Sequence, residues 1–382
     1  MEDHRFTVCR ARLLLPLAVP DRKLRIEDGY LLAEGEVLRE VGPYTPEVGS
    51  RLLSTLGPAL RILAPRQQAG GEPIPCCDGV LLPAFVKAHG HDHEQPLIGI
   101  AKDEPLTSWL DHAVNPFSGF MNEHEEELTR ELGCSPHLAT YLLARVCDIH
   151  YGVTASLVHH CNHSKGRYAE IARANEVAGT TMIAALGSQD RYYDPRILDR
   201  PEQALDRLDR ARELQPTTPR TSFCPGPDQL FSNSRKLLVP LKDWARRHGT
   251  LFHVHSSEEP KTTRWFTEAI EPGLSEVEFA EEIGILDRDT VLAHQVNCGP
   301  RDVEILARHG VSVVHNPLAN TILGSGMPPI LEMIAAGIPV AISTDGSGSA
   351  DNQNILAAAR LAAQYQKALH QDATLLPAQM LL

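Results

Sequence analysis

The chain has no apolar run able to cross a bilayer. Its most apolar early stretch, Leu13 to Val19, is interrupted by Pro16 and is far shorter than the ~20 residues a spanning helix needs. The start, Met1-Glu2-Asp3-His4-Arg5, has no basic-then-apolar order of a secretory leader. No C-x-x-C occurs, and the eight cysteines are scattered apart from the adjacent Cys76-Cys77. That usage reads as reduced cytoplasmic thiols, not a disulfide frame. Basic residues are outnumbered, 36 Lys+Arg against 49 Asp+Glu for a net charge of −13. A general nucleic-acid binder needs a basic face to neutralise phosphates, so that class is excluded. The expectation is a cytoplasmic protein with neither a membrane nor a nucleic-acid partner.

Several catalytic signatures are also missing. No G-x-G-x-x-G follows the first strand of the α/β region, which removes the main support for dinucleotide binding. H-E-x-x-H fails twice at its last position, at His93-Glu94-Gln95-Pro96-Leu97 and at His124-Glu125-Glu126-Glu127-Leu128. The P-C-x-x-C half of the cytidine-type zinc deaminase signature does not occur, nor does a G-x-S-x-G nucleophile elbow.

What remains is ordinary in bulk and unusual in one residue. With 382 residues, 42% hydrophobic and 22% charged, the chain has the make-up of a globular enzyme. It carries 18 histidines, many of them clustered, and clustered imidazoles are metal-site candidates. Residues 1–80 hold short apolar runs broken by Gly, Pro and charge, with strands expected at 26–32 and 37–42. From residue 81 onward, short β-rich runs alternate with helical stretches. Strands are predicted at 80–88, 153–159, 180–186, 220–224, 250–255, 290–294, 311–315 and 339–344. Helices are predicted at 125–150 (two, around Pro136), 201–214, 234–248, 301–309, 329–336 and 354–370. Eight strand–helix pairs predict an α/β fold, a (β/α)8 TIM-type barrel over 81–382, preceded by a small β-domain over 1–80.

In such a barrel, catalytic groups sit at the C-terminal ends of the strands. The first strand ends His89-Gly90-His91 and the fifth His253-Val254-His255. Residues two apart on a strand face one side, so both imidazoles of a pair can reach one ion. The sixth strand ends at His294, the seventh at His315 and the eighth at Thr344-Asp345. A single histidine at a strand end is most often a satisfied polar residue. The combination at one barrel mouth predicts a metal centre.

The ordered segments Leu81-Leu82-Pro83-Ala84-Phe85-Val86-Lys87-Ala88-His89-Gly90-His91, Gly99 to Asp103 with Ser108-Trp109-Leu110, Val254 to Glu258, Val291 to His294, Val314 to Asn320 with Leu323-Gly324-Ser325-Gly326, and Ala341 to Gly346 resemble the amidohydrolase superfamily, in its deaminase and chlorohydrolase branch. The resemblance implies one divalent metal, zinc or iron, held by His89, His91, His255 and Asp345. It implies Glu258 as proton shuttle and His294 as the contact to substrate or to the metal-bound oxygen. Binuclear relatives carry a bridging Lys at strand four, and here that strand reads Ser222-Phe223-Cys224-Pro225-Gly226 without one. Ala84 stands for the usual Gly, and Glu94 for the Gln of many purine- and triazine-active relatives. Relatives continue beyond Leu382 with strands that complete a β-sandwich, so the expectation is an incomplete sandwich half with an exposed edge.

The chemistry these residues support is hydrolytic deamination. A catalytic ion lowers the pKa of water from 15.7 to about 7, and the resulting hydroxide attacks the carbon bearing the amine. Asp345 takes and returns a proton, and Glu258 protonates a ring nitrogen. The expected substrate is a small aminated N-heterocycle of purine, pterin or pyrimidine type. Glu94, Trp109, His159 and His315 are candidate pocket residues. An ionised Glu94 offers acceptors only, favouring a substrate edge rich in N–H; its alternative is an ion pair with Lys102. The competing readings are displacement of halide or opening of a cyclic amide at the same site, and a non-catalytic scaffold. A homodimer is the expected assembly.

Overall fold

The computed structural model describes residues 4–17, 24–63 and 73–382, so part of the 13–19 apolar run lies outside the described residues. No helix among them is long and apolar enough to cross a membrane.

The chain divides into two units, one made of residues up to Ala84 together with Pro377–Leu382, the other of Phe85–Leu376. The first is built on a mixed sheet. Strand β1 (Phe6–Leu14) pairs antiparallel with β2 (Ile26–Glu34), which turns at Gly35 into antiparallel β3 (Val37–Pro43). The other edge of β1 is shared by two parallel strands. β4 (Leu60–Leu63) runs along Phe6–Cys9 and β5 (Cys77–Leu81) along Ala11–Leu14. A helix at Pro46–Leu56 was not anticipated. The signal lay in Thr45-Pro46, where Thr45 Oγ1 accepts from Val48 N and Pro46 opens the first turn. Its Leu52 closes a core with Val8, Tyr30, Leu32, Leu60 and Ile74.

The second unit holds eight parallel strands in two ladders. One is β6 (Phe85–Lys87), β7 (Val153–His160), β8 (Thr181–Ser188) and β9 (Thr221–Pro227). The other is β10 (Phe252–Ser256), β11 (Thr290–His294), β12 (Ser312–His315) and β13 (Val340–Ile342). Helices between the strands at Pro136–His150, Tyr168–Ala178, Pro201–Glu213, Arg235–His248, Glu276–Glu282, Pro300–His309 and Ile330–Ala335 complete a (β/α)8-type fold. The expected first strand at 80–88 is in fact two strands. Pro83 has no N–H to give a ladder, and the run breaks there into β5 of the first unit and β6 of the second.

The two ladders meet at two seams. Between β9 and β10 a bridge joins Gln229 and His255, with His255 N donating to Asp228 O at 3.1 Å and Leu230 N to His255 O at 3.1 Å. Between β13 and β6 one side chain does the joining. Ser343 Oγ donates to His89 O at 2.6 Å and accepts from His89 N at 3.2 Å. Leu157, Ala185, Cys224, Val291 and Val314 fill the interior. A larger cluster including Phe223, Trp244, Phe252, Leu292 and Val313 packs strands against helices.

Candidate metal centre

The ends of β6, β10, β11 and β13 bring His89, His91, His255, His294 and Asp345 to one point. Nε2 of His91 lies 3.1 Å from Nε2 of His255. Oδ1 of Asp345 lies 3.2 Å from Nε2 of His89 and 3.3 Å from Nε2 of His91. Ligand atoms arranged tetrahedrally around zinc, with bonds of about 2.0–2.1 Å, stand about 3.3 Å apart. These donors have that spacing.

The ring tautomers support the same conclusion. His253 Nδ1 donates to Val291 O at 3.0 Å, so its Nε2 is an acceptor, and it meets Nδ1 of His89 at 2.7 Å. His89 therefore donates from Nδ1 and turns a lone pair inward at Nε2, a buried atom with no hydrogen-bond partner. His91 donates from Nδ1 to His159 O at 3.2 Å, and His255 from Nδ1 to Asp228 O. Three imidazole lone pairs and a carboxylate facing one another repel unless a cation lies between them. The donor set fits a single divalent ion.

Electrostatics keep the set ready to ligate. Burial first, then neighbouring imidazoles, holds His89 well below the usual histidine range. Burial likewise holds His91 well below it. Burial alone would raise Asp345, but His294, His91, His255 and the Gly346 N–H bring it below the usual carboxylate range. Backbone strain concentrates here too. Ser257, His294, Gln295 and Asp345 all adopt left-handed conformations, with φ of 51°, 78°, 51° and 74°, which only an over-determined site sustains. Gly90 separates the two ligands of the first strand. A Cβ there would lie 2.9 Å from Lys87 Cε and 3.1 Å from Asp345 O.

Glu258 stands apart from the ligand set. Its Oε2 accepts from Gln229 Nε2 at 2.9 Å and lies 3.6 Å from His294 Nε2. Burial pushes its carboxyl up to about 8. His294 donates from Nδ1 to Asn320 Oδ1 at 2.9 Å and places Nε2 3.5 Å from Asp345 Oδ2. Beneath Asp345, Gln353 Nε2 donates to its backbone carbonyl at 3.2 Å, and Lys87 Nζ bridges Gln353 Oε1 at 3.0 Å and Asp148 Oδ1 at 2.8 Å.

The pocket candidates divide. Glu94, Trp109 and His159 line the cavity over the centre, together with Glu258, His294 and Asp345. Trp109 also packs with Leu97, Leu106 and Leu323. His159 places Nε2 3.5 Å from Asp228 Oδ1. His315 does not reach the cavity wall. It is fully buried behind His294, and burial holds it down to about 3. At Glu94 the structure sets aside the alternative of an ion pair with Lys102. Glu94 is buried and accepts from Ser349 Oγ at 3.2 Å, while Lys102 pairs instead with Asp351. Burial raises its carboxyl, and in its protonated form Glu94 offers a donor as well as acceptors.

Sequence reasoning missed Asp228, Gln229 and Gln353, which orient site residues from loops and carry no motif, and gave no role to Asn320, which lies within a quoted motif on the helix Pro317–Ile322. His253 had a signal in the H-x-H of strand five. The two imidazoles do share a face, and the deeper one orients His89.

The profile of the amidohydrolase family matches residues 80–381. A 5-methylthioadenosine/S-adenosylhomocysteine deaminase of Thermococcus kodakarensis is 31% identical over 308 residues, covering 81% of this chain and 68% of that protein. The chain spans about two thirds of the length of such relatives. Among solved structures, guanine deaminase from C. acetobutylicum with bound guanine superposes with a TM-score of 0.80 at 17% identity, covering 98% of this chain and 84% of that one. A zinc-bound adenosine deaminase from Xanthomonas campestris superposes with a TM-score of 0.75 at 19% identity, covering 98% and 77%.

Proposed function

The chain belongs to the amidohydrolase family, and from that premise we propose that it is a metal-dependent hydrolytic deaminase of an aminated N-heterocycle of purine type. The observation that carries this reading is the convergence of His89, His91, His255 and Asp345, with a separate buried carboxyl at Glu258. A single divalent ion, zinc in this reading, supplies a polarising charge and lowers the pKa of water towards about 7.

The chain's own groups move the protons. Glu258, held neutral by burial, gives its proton to the ring nitrogen beside the carbon that carries the amine. The Gln229 bond fixes that carboxyl in place. His294, neutral and fixed by Asn320, keeps an Nε2 lone pair towards Asp345 and Glu258 and orients the attacking water. Asp345, held ionised, accepts the water proton and passes it to the departing nitrogen. As the amine leaves, the proton remaining on the added oxygen returns to Glu258, so water and the amino-heterocycle become an oxo-heterocycle and ammonia and both carboxyls regain their starting states. The name of the Thermococcus relative favours ammonia release over halide displacement.

A cytoplasmic location agrees with eight free cysteines and no disulfide among the described residues, and a homodimer is the assembly in this reading. Ammonia release by zinc-loaded protein over a panel of aminopurines, aminopterins, aminopyrimidines and chlorotriazines tests the activity. Chloride release without ammonia would overturn it, as would zinc-loaded protein inert to the whole panel.

A further inference from the structure

The wall of the cavity over the metal centre continues outward. Leu110, Asn115, His163 and Tyr193 line both that cavity, of about 70 Å³, and a second one of about 720 Å³. The inner space is the narrower of the two. The outer chamber is far larger than any amino group or ring edge requires, so it has room for a substituent.

Its chemistry is specific. Tyr192 and Trp265 are 48% and 39% exposed, large aromatic surfaces left open at its rim. Their rings meet edge to face with centroids 4.6 Å apart, and Phe231 stands 6.0 Å behind Trp265. Tyr192 is held at a φ of 70°, a left-handed conformation that a bulky residue adopts only where its surroundings impose it. Carboxylates outnumber cations on its wall, with Asp111, Glu123 and Asp194 against Arg196 and Lys261. Arg196 donates from Nε and Nη2 to both oxygens of Asp194 and lies 3.7 Å from Glu123.

We infer that the chamber receives an uncharged aromatic substituent of the heterocycle and disfavours one that ends in a carboxylate or phosphate. The surplus of carboxylates on the wall repels an anion, while the open faces of Trp265 and Tyr192 offer stacking area. The inference rests on the deaminase reading for the ring itself.

The test is calorimetric binding to zinc-loaded protein of 9-methyladenine, 9-benzyladenine and 9-(4-carboxybenzyl)adenine, with ammonia release measured in parallel. The benzyl compound should bind at least about fivefold more tightly than the other two. Trp265→Ala should abolish that ratio, and Trp265→Phe should restore most of it. Equal affinity for the methyl and benzyl compounds would overturn the inference. So would a preference for the carboxylate, a ratio that survives Trp265→Ala, or no binding of any adenine. Binding in the expected order without ammonia from any of the three would remove the deaminase reading and leave the chamber's selectivity standing.

Discussion

Nδ1 of His89 lies 2.7 Å from Nε2 of His253, one layer below the mouth of the barrel. The contact continues to Val291 O, which His253 reaches from its other nitrogen at 3.0 Å. A backbone carbonyl on one strand thereby sets which nitrogen of a histidine on another faces the metal centre. Replacing His253 by Phe keeps the volume class and removes the acceptor. Zinc affinity, read by competition with a chelator, should fall about 10–100-fold. Unchanged affinity would mean that packing alone orients His89.

Glu258→Gln should retain zinc and the melting temperature while kcat falls by a factor of about 10²–10⁴. Gln229→Leu removes only the bond that holds the carboxyl, so its loss should be the smaller of the two. A Gln229 variant slower than the Glu258 variant would move the proton-transfer role elsewhere.

At Glu94 the expected effect is now small. A neutral, buried carboxyl and an amide present the same mix of donor and acceptor. Glu94→Gln at neutral pH should leave the order of preference across an aminopurine and aminopterin panel unchanged. A reordered panel would show an ionised Glu94 in the pocket.

Acid should weaken the fold through histidines away from the centre. Burial holds His160 and His315 down to about 3 and His137 to about 4. Unfolded, each titrates near about 6.5. Between those values the unfolded chain binds more protons, so stability is full above about pH 6.5 and falls as the pH drops. Each histidine contributes about 1.4 kcal/mol per pH unit in that window. Urea midpoints between pH 7.5 and 5 should fall, and less steeply in His315→Gln. A pH-independent midpoint would mean these rings are solvated in the native state.

How much of this was readable in the residues depended on the physics of each feature. The pair His89 and His91 was recognisable because period-two spacing on a strand is local, while His255, His294 and Asp345 were picked out by their places at strand ends and by the family resemblance. His315 was placed in the pocket although it lies behind the wall, and the burial of Glu94 was not foreseen, because both depend on depth. Glu94 lies on a short helical turn, Asp92–Leu97, that the rest of the unit buries, and no local pattern reports that depth. The split of the first strand was signalled by Pro83, yet the apolar run on both sides hid it. Asn320 and Gln353 make contacts 26 and 8 residues away, with side chains that any surface loop also carries.

The Ser343 hydroxyl fastens the seam where the β13 end meets the β6 end, and the residues next to it are Asp345 on one side and His89 and His91 on the other. A bound ion coordinated from both sides is therefore a second clasp across the same gap. Losing the ion and parting the two ladders become linked events. Zinc should slow amide exchange selectively along Phe85–Lys87 and Val340–Ile342, by the factor its free concentration over Kd sets. Ser343→Ala should make retention of zinc and closure of the barrel fail together.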